Sequence, residues 1–516
     1  MQRIHNELPA LKDLSTHNAK KSADSVAFED ATESVTWGEF DERSKRAADL
    51  FSDYVSKGDR IAFYSKPSVQ HAVLFNGALK AGAVTTNLHR RIAPDAFRYS
   101  IDQTKPKVVV ADGEIADSFA TAATEDVLAP VSAVFTTEAA ERAYERPLAP
   151  ALADADPVEP DVLAEEDDIV TVAWTSGSTG RPKGWCHTNR TMFLKGRELA
   201  TRSGYSRNDK QLVVNRPSFL IWTSFLTRSL LGCEATYYLA DWDPERWLDI
   251  VEERGITRAV LVPTMWKEVL DSDPDAYDLS ALSSVASTGE KLNPETLRRL
   301  RSEICGNVTQ SYGSTEIHST ILYNNELTEE RIESVGKPQA GTQVRIVDPD
   351  GSIDDERPPN EYGEIAVKSY QSPPWMWGDN ERATAAFEDG WWRSGDRGRL
   401  DEDGFLYIEG RIDFQIKSRG VKITPESIEE ALENHHGVIN AAVVGVEDPE
   451  YGQKVTAIVE RASDALSAED LDAWMLESDR VADHERPRTY EFVDAIDRTP
   501  SGKLDRQSTK DRLGLD

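Results

Sequence analysis

The chain has 516 residues, 39% of them hydrophobic, with 91 acidic and 59 basic side chains and a net charge of −32. That length calls for two or more domains, and no apolar run approaches the ~20 residues needed to span a bilayer. Acid spread along the whole chain excludes the basic footprint of a nucleic-acid binder and argues against docking on an anionic membrane.

At the start, residues 1–7 hold no apolar signal core, so a cytoplasmic protein is expected. Residues 1–150 alternate helices and strands. Residues 35–40 lead into a helix with Ala47, Leu50 and Phe51 on its apolar side, and 59–64 is strand-like. Residues 70–81 form a helix apolar on most faces, and 107–112 is a short buried strand. Strands separated by helices imply right-handed crossovers and a mostly parallel sheet, so the fold class is α/β. Residues 147–166, rich in Pro, Ala and acid, read as a flexible connector.

Residues 168–174 are a β-branched, apolar run that reads as a buried strand. It empties into Thr175-Ser176-Gly177-Ser178-Thr179-Gly180-Arg181-Pro182-Lys183-Gly184. Glycines let backbone N–H groups turn towards an anion, and hydroxyls add donors or a metal-side oxygen, so this is a candidate polyphosphate cradle. The G-x-x-x-x-G-K-[ST] spacing fails, because Pro182 and Trp185 stand five residues after Gly177 and Gly180. Gly502-Lys503 fails it too, with Leu504 following. After the loop, residues 187–190 read as the opening of a helix.

Further on, residues 284–287 give a strand running into Thr288-Gly289-Glu290-Lys291-Leu292, and Asn293-Pro294 opens the next helix. A glycine turn outside the carboxyl end of a parallel strand is where nucleotides bind. Next comes Gln310-Ser311-Tyr312-Gly313-Ser314-Thr315-Glu316, in which Tyr312 offers a flat face to a base and Glu316 a hard oxygen for Mg²⁺. From 335 to about 370, short strands alternate with Pro/Gly turns. They deliver Trp391-Trp392-Arg393-Ser394-Gly395-Asp396-Arg397-Gly398, in which Asp396 is an acceptor-only carboxylate. A hairpin over 403–413 carries Ile408, Arg411 and Asp413. Residues 414–516 read as a compact α+β domain. A turn around Gly420 is followed by a helix opened by Thr424-Pro425 and ended by Gly437, two strands, a helix capped by Ser467, and the loop Thr499-Pro500-Ser501-Gly502-Lys503. Cys186, Cys233 and Cys305 lack C-x-x-C spacing, which predicts inert thiols. His435 and His436 are adjacent and would not share a helix face, so they read as a polar helix end rather than a metal pair.

Together WTSGSTGRPKG, QSYGSTE, WWRSGDRG, GRID and PSGK, in this order, resemble the signature blocks of the adenylate-forming superfamily, which comprises acyl-CoA synthetases, peptide-synthetase adenylation domains and luciferases. FNGALKAGAVTTNLHRR is similar, less specifically, to its N-terminal subdomain. The resemblance implies a large N-terminal domain over residues 1–411, made of two α/β subdomains and a small β subdomain at about 335–411. It also implies a mobile α+β C-terminal lid over 412–516, turning about Asp413. The implied activity is an AMP-forming acyl-CoA synthetase using ATP, Mg²⁺ and coenzyme A, with a carrier-protein thiol as the alternative acceptor. By resemblance Lys503, Thr179 and Glu316 are catalytic, and Thr179 and Glu316 face Mg²⁺. Nucleotide contacts are implied for Thr175, Ser176, Gly177, Ser178, Gly180, Lys183, Gly289, Glu290, Lys291, Gln310, Tyr312, Gly313, Thr315, Asp396, Ile408 and Arg411. Lys417, Arg419 and Gly420 are implied as the thiolation loop.

The chain departs from the pattern in places. The family's P-x-x-H-x-x-G lacks its histidine after Pro217, which leaves Phe219, Trp222 and Gly313 as acyl-pocket candidates. Acetyl-CoA synthetases carry Trp at the position of Gly313, so the acid is expected to be larger than acetate: medium-chain, branched or aryl. The usual second acid after Asp413 is Phe414. His187 matches a family histidine, for which packing or a structural hydrogen bond is expected. The expected partners are a small carboxylic acid, ATP and CoA, without nucleic acid or membrane, and a homodimer is left open. A non-catalytic nucleotide-binding homologue would show erosion at Lys503, Glu316 or Asp396, and all three are present. The acidic composition resembles that of proteins from salt-accumulating cytoplasms, where molar salt shortens the Debye length to ~3 Å.

Overall fold

The computed structural model describes residues 8–515 except 90–93, 114–115, 139–141, 143, 176–181, 203–205, 322–327, 479–480 and 500–503. The chain packs as two compact units. The first comprises Met1–Thr288, Glu295–Ser319 and Ser369–Ala386, and the second Gly289–Pro294, Thr320–Lys368 and Phe387–Asp516. The boundary expected at residues 411–412 falls inside the second unit.

Among the described residues the first unit is built on two eight-stranded sheets. One runs His318–Ile321, Val308–Ser314, Ser284–Thr288, Arg258–Leu261, Lys210–Val213, Ala235–Tyr238, Val26–Glu29, Ser34–Thr36, parallel from Val308–Ser314 through to Val26–Glu29. The other runs Trp375–Met376, Lys183–Thr188, Ile169–Thr175, Val84–Asn87, Arg60–Tyr64, Val108–Ala111, Ala133–Thr136, Glu145–Pro147. Its strands are parallel from Ile169–Thr175 onwards. Along Arg60–Tyr64, Ile61 and Phe63 pack with Ala47, Phe51 and Leu74, while Ala62 and Tyr64 pack on the opposite face with Phe97 and Phe119. A strand buried on both faces has no polar side to show, which is why it reads as a continuous apolar run. The helix Trp37–Ser52 begins at a capping box, in which Thr36 accepts from the Glu39 N–H and Glu39 from the Thr36 N–H. Helices Val69–Lys80 and Leu220–Gly232 join Phe28, Val213 and Tyr238 of one sheet and Val170 of the other in a single core.

The stretch 147–166 is not a loose connector. Leu148–Asp154 is a helix, and the residues after it are tied to the body of the first unit by charge. Lys80, with its side chain fully buried, lies 3.0 Å from Glu159 and 3.2 Å from Asp41. Arg46 donates to the Ala155 carbonyl at 2.6 Å, and Glu166 accepts from the Leu8 N–H at 2.7 Å. Composition alone misses this, because most of the partners lie about a hundred residues away or more. A second difference concerns residues 183–188, which form a strand antiparallel to Ile169–Thr175, with the helix starting only at Asn189.

Among the described residues the second unit holds two five-stranded sheets. One orders Thr342–Val347, Gly363–Ser369, Trp391–Leu400, Phe387–Glu388, with Leu406–Arg411 also paired to Trp391–Leu400. The other orders Val421–Ile423, Ile416–Ser418, Gly452–Arg461, Val438–Asp448, with Thr489–Val493 beside Gly452–Arg461. Ile428 and Leu432 of helix Pro425–Glu433 and Leu471 and Met475 of helix Ala468–Leu476 close its core against Ala441, Val443, Ala457 and Val459. The helix opened by Thr424 stops at Glu433, short of Gly437. Ser467 caps the second helix, as its sequence predicts. No helix among the described residues is long and apolar enough to cross a membrane.

Candidate active site

In the first unit, two antiparallel strands flank the glycine–hydroxyl loop, with Thr175 opposite Lys183 and Trp174 opposite Gly184. Both ends of the loop are thus fixed side by side at the carboxyl end of Ile169–Thr175. Ser176, Gly177, Ser178, Thr179 and Gly180 lie outside the described residues, as does Lys503. The neighbouring sheet brings Val308–Ser314 up beside Ser284–Thr288, with Gln310 opposite Ser287. Gln310 is buried, Tyr312 half-buried and Gly313 exposed, and Thr315 and Glu316 follow in the turn. Glu316 is buried and its Oε1 accepts from the Trp185 indole N–H at 2.9 Å. Two residues on, His318 has a left-handed φ of 54°, and its Nε2 lies 3.0 Å from His187 Nδ1. Burial pushes the His187 imidazole down to about 3 and the His318 imidazole well below its ordinary value, so both rings are neutral. His187 packs and makes a hydrogen-bond contact with His318. Sequence reasoning missed Trp185 and His318; the only signal was an indole directly after the loop.

The acyl-pocket candidates separate. Trp222 is buried against His71, Phe75 and Tyr238, with ring centroids 4.6, 5.5 and 6.0 Å away. Trp222 thus packs in the apolar core of the first unit. Phe219 is half-buried, 5.6 Å from the His89 ring. The thiols are free, and burial raises Cys186 to about 12.

In the second unit, Asp396 and Arg411 are cross-strand partners. Arg411 Nη1 donates to Asp396 Oδ1 at 3.1 Å and to the Ser394 carbonyl at 2.7 Å, while Nη2 lies 3.3 Å from Asp413. Gly395, at φ +72°, makes room: a Cβ there would stand 2.9 Å from Arg411 Nη2. Ile408 pairs with Gly398 on the same two strands. Gly289 has φ +95°, Lys291 forms an ion pair with Glu430 at 3.3 Å, and Asn293 donates to Asn434 at 3.1 Å. Lys417, Arg419 and Gly420 lie on a tight hairpin, Arg419 and Gly420 both at positive φ (49° and 81°). Arg419 stacks 4.1 Å over Tyr451 and pairs with Glu450. Glu426 packs on the backbone at Gly410 and Arg411; desolvation, opposed by Arg506 at 3.3 Å and aided by Glu429, raises its carboxyl to about 7. His435 and His436 stack on one another at 4.5 Å. Among the described residues no group of three or more His, Cys, Asp or Glu side chains could hold a metal ion. A single buried carboxylate such as Glu316 fits Mg²⁺, which takes one or two protein oxygens and completes its octahedron with phosphate and water.

A parallel-sheet edge carrying a glycine–hydroxyl loop, a buried acid and, elsewhere in the chain, an Asp–Arg pair on adjacent strands is the equipment of a nucleotide-dependent enzyme. Residues 15–372 match the family model described as AMP-binding enzyme, and residues 427–503 that of the AMP-binding enzyme C-terminal domain. The chain belongs to the AMP-binding enzyme family, and by class it is an AMP-forming acid–thiol ligase. It is 29% identical over 510 residues to a 3-hydroxybenzoate–CoA ligase of Aromatoleum sp. strain CIB, covering 96% of this chain and 95% of that one. It is 26% identical over 531 residues to the fatty acid–[acyl-carrier-protein] ligase ScoC of Streptomyces coeruleorubidus, covering 99% and 98%. Its fold is similar to ATP-bound MatB from Rhodopseudomonas palustris, with a TM-score of 0.85 at 24% identity over 97% of this chain and 98% of that one.

Proposed function

We propose that the enzyme is an acyl-CoA synthetase acting on a carboxylic acid larger than acetate, medium-chain, branched or aryl. The observation that supports this most is the buried Glu316 carboxylate, held by the Trp185 indole on the strand that leaves the phosphate loop. In the first half-reaction the carboxylate attacks the α-phosphorus of ATP in line, giving acyl-AMP and pyrophosphate, so catalysis is positioning and charge stabilisation. Mg²⁺ supplies charge neutralisation on the phosphate oxygens, and Glu316 and Thr179 are the residues that would hold it. Thr175 to Lys183 cradle the phosphates, and Lys503 bridges the carboxylate and the α-phosphate. Asp396 accepts from the ribose hydroxyls, beside Arg411, while Tyr312 and the turn at Gly289-Glu290-Lys291 flank the base. In the second half-reaction the CoA thiol attacks the acyl carbonyl and AMP leaves. The hairpin at Lys417, Arg419 and Gly420 serves this step after the segment beyond Asp413 turns. The exposed Gly313 adds no side chain beside the acyl group, which supports an acid larger than acetate.

The test is to incubate the purified chain with Mg·ATP and a panel of acids, adding either CoA or a phosphopantetheinylated carrier protein, and to identify the thioester by mass spectrometry. Acyl-CoA from one acid class is the expected result. A thioester formed only on the carrier protein would reassign the acceptor, a reading that similarity to ScoC supports.

A further inference from the structure

Trp185 and His187 lie two apart on one strand and therefore share a face of it. Glu316 and His318 lie two apart on the segment opposite. The two contacts, Trp185 to Glu316 at 2.9 Å and His187 to His318 at 3.0 Å, are rungs of equal sequence offset, each joining residues 131 apart. All four side chains are buried. Within this segment His318 adopts a left-handed φ of 54°. L-residues other than glycine resist that conformation, and held outliers of this kind cluster where a site depends on them.

We propose that Trp185, braced by the His187–His318 rung, is a positioning residue for Mg²⁺–nucleotide binding. It caps one oxygen of Glu316, fixes the carboxylate plane and leaves the other oxygen for the metal. The inference rests on the reading of Glu316 as the Mg²⁺-side carboxylate. A buried carboxylate without its N–H donor would rotate or recruit water, and its second oxygen would no longer be aimed. Partners that orient a ligating group in this way are typically worth 10- to 100-fold in metal affinity. The strand carrying Trp185 and His187 starts at Lys183, opposite Thr175, so the two contacts join the acid to the strand pair that flanks residues 176–181.

The test uses the full chain and Mn²⁺ as the metal probe, with Mn²⁺·ATP binding followed by electron paramagnetic resonance and metal-free AMP binding by calorimetry. Trp185→Phe is expected to weaken Mn²⁺·ATP binding at least tenfold and to leave AMP binding within twofold. Trp185→His, which restores an N–H donor, should recover most of the loss. His318→Gln, which removes the brace but keeps the indole, should weaken the metal complex by a smaller factor and stands in if Trp185→Phe does not fold. Unchanged Mn²⁺·ATP affinity in Trp185→Phe, with affinity lost in Glu316→Gln, overturns the positioning role alone. Retained affinity in Glu316→Gln overturns the metal reading of Glu316 and the inference with it.

Discussion

Asp396 and Arg411 show how much a single pair decides. Their strands place them opposite one another, and the guanidinium lies over the bare backbone of Gly395. In the proposed role, a carboxylate already oriented by Arg411 would present its remaining acceptor capacity to a ribose diol at little further entropic cost. Asp396→Asn, which keeps the shape and loses the charge, is expected to weaken AMP binding by about 10–100-fold, the range of a hydrogen bond to a charged group. Calorimetric affinities within twofold of wild type would contradict it. Cys186 gives a second prediction at this scale: its thiol is buried and pushed up to about 12, so iodoacetamide at pH 8 should leave it unmodified in the folded chain. Labelling that tracks an unfolded control would refute that. The pairing of Asp396 with Arg411 is half legible in sequence, because both sit in short blocks that resemble a family signature, though their cross-strand contact is a product of the fold. Trp185 and His318 are not legible, since they lie in different sheets and their side-chain contacts join residues 131 apart.

At the scale of elements, long-range charge contacts reshape what composition suggests. Residues 147–166 look like a linker until Glu159 is found on the buried Lys80. Burial is the largest single influence on Glu159 and Asp41 and works against their ionisation, but Lys80 together with neighbouring lysines and hydroxyls holds both carboxyls below their ordinary range. Glu159→Ala should cost about 1–3 kcal/mol of unfolding free energy in urea and expose the segment to proteolysis, because the buried Lys80 then keeps Asp41 as its one carboxylate partner beside the Thr16 hydroxyl. Helix Pro425–Glu433 supplies the opposite case. The Glu426 side chain is a quarter exposed, but its Oε2 is buried with no hydrogen-bond partner, and its carboxyl is raised to about 7. The folded chain therefore holds this proton more tightly than the unfolded one. The resulting stability is complete below the ordinary value of 4.5 and is lost as pH rises through about 7, about 1–3 kcal/mol in all. Glu426→Gln should flatten that decline between pH 5 and 8 in thermal melts; a decline unchanged in the variant would assign it to another group. The helix itself is announced by Thr424-Pro425, but the burial that raises Glu426 depends on its packing against Gly410.

For the whole molecule, a charge of −32 sets the background against which every local contact works. At low salt the acidic surface repels itself, and at ~1 M salt a Debye length of ~3 Å removes most of that cost. The melting temperature should therefore climb steadily between 0.1 and 2 M KCl, and a flat profile would remove the halophile-like reading. The alternation of helices and strands and the order of the motif blocks made the α/β class readable in advance. The division into compact units was less so. Residues 320–368 and 387–411 pack with the C-terminal residues 412–516 through contacts such as Gly410 on Glu426, which no local pattern encodes. The central claim is that this chain activates a carboxylate as its adenylate. Carboxylate-dependent exchange of labelled pyrophosphate into ATP, measured without CoA at molar KCl across a panel of acids, tests it most directly. Exchange with one class of acids larger than acetate is predicted. An absence of exchange with every acid, from protein that still binds ATP, would contradict it.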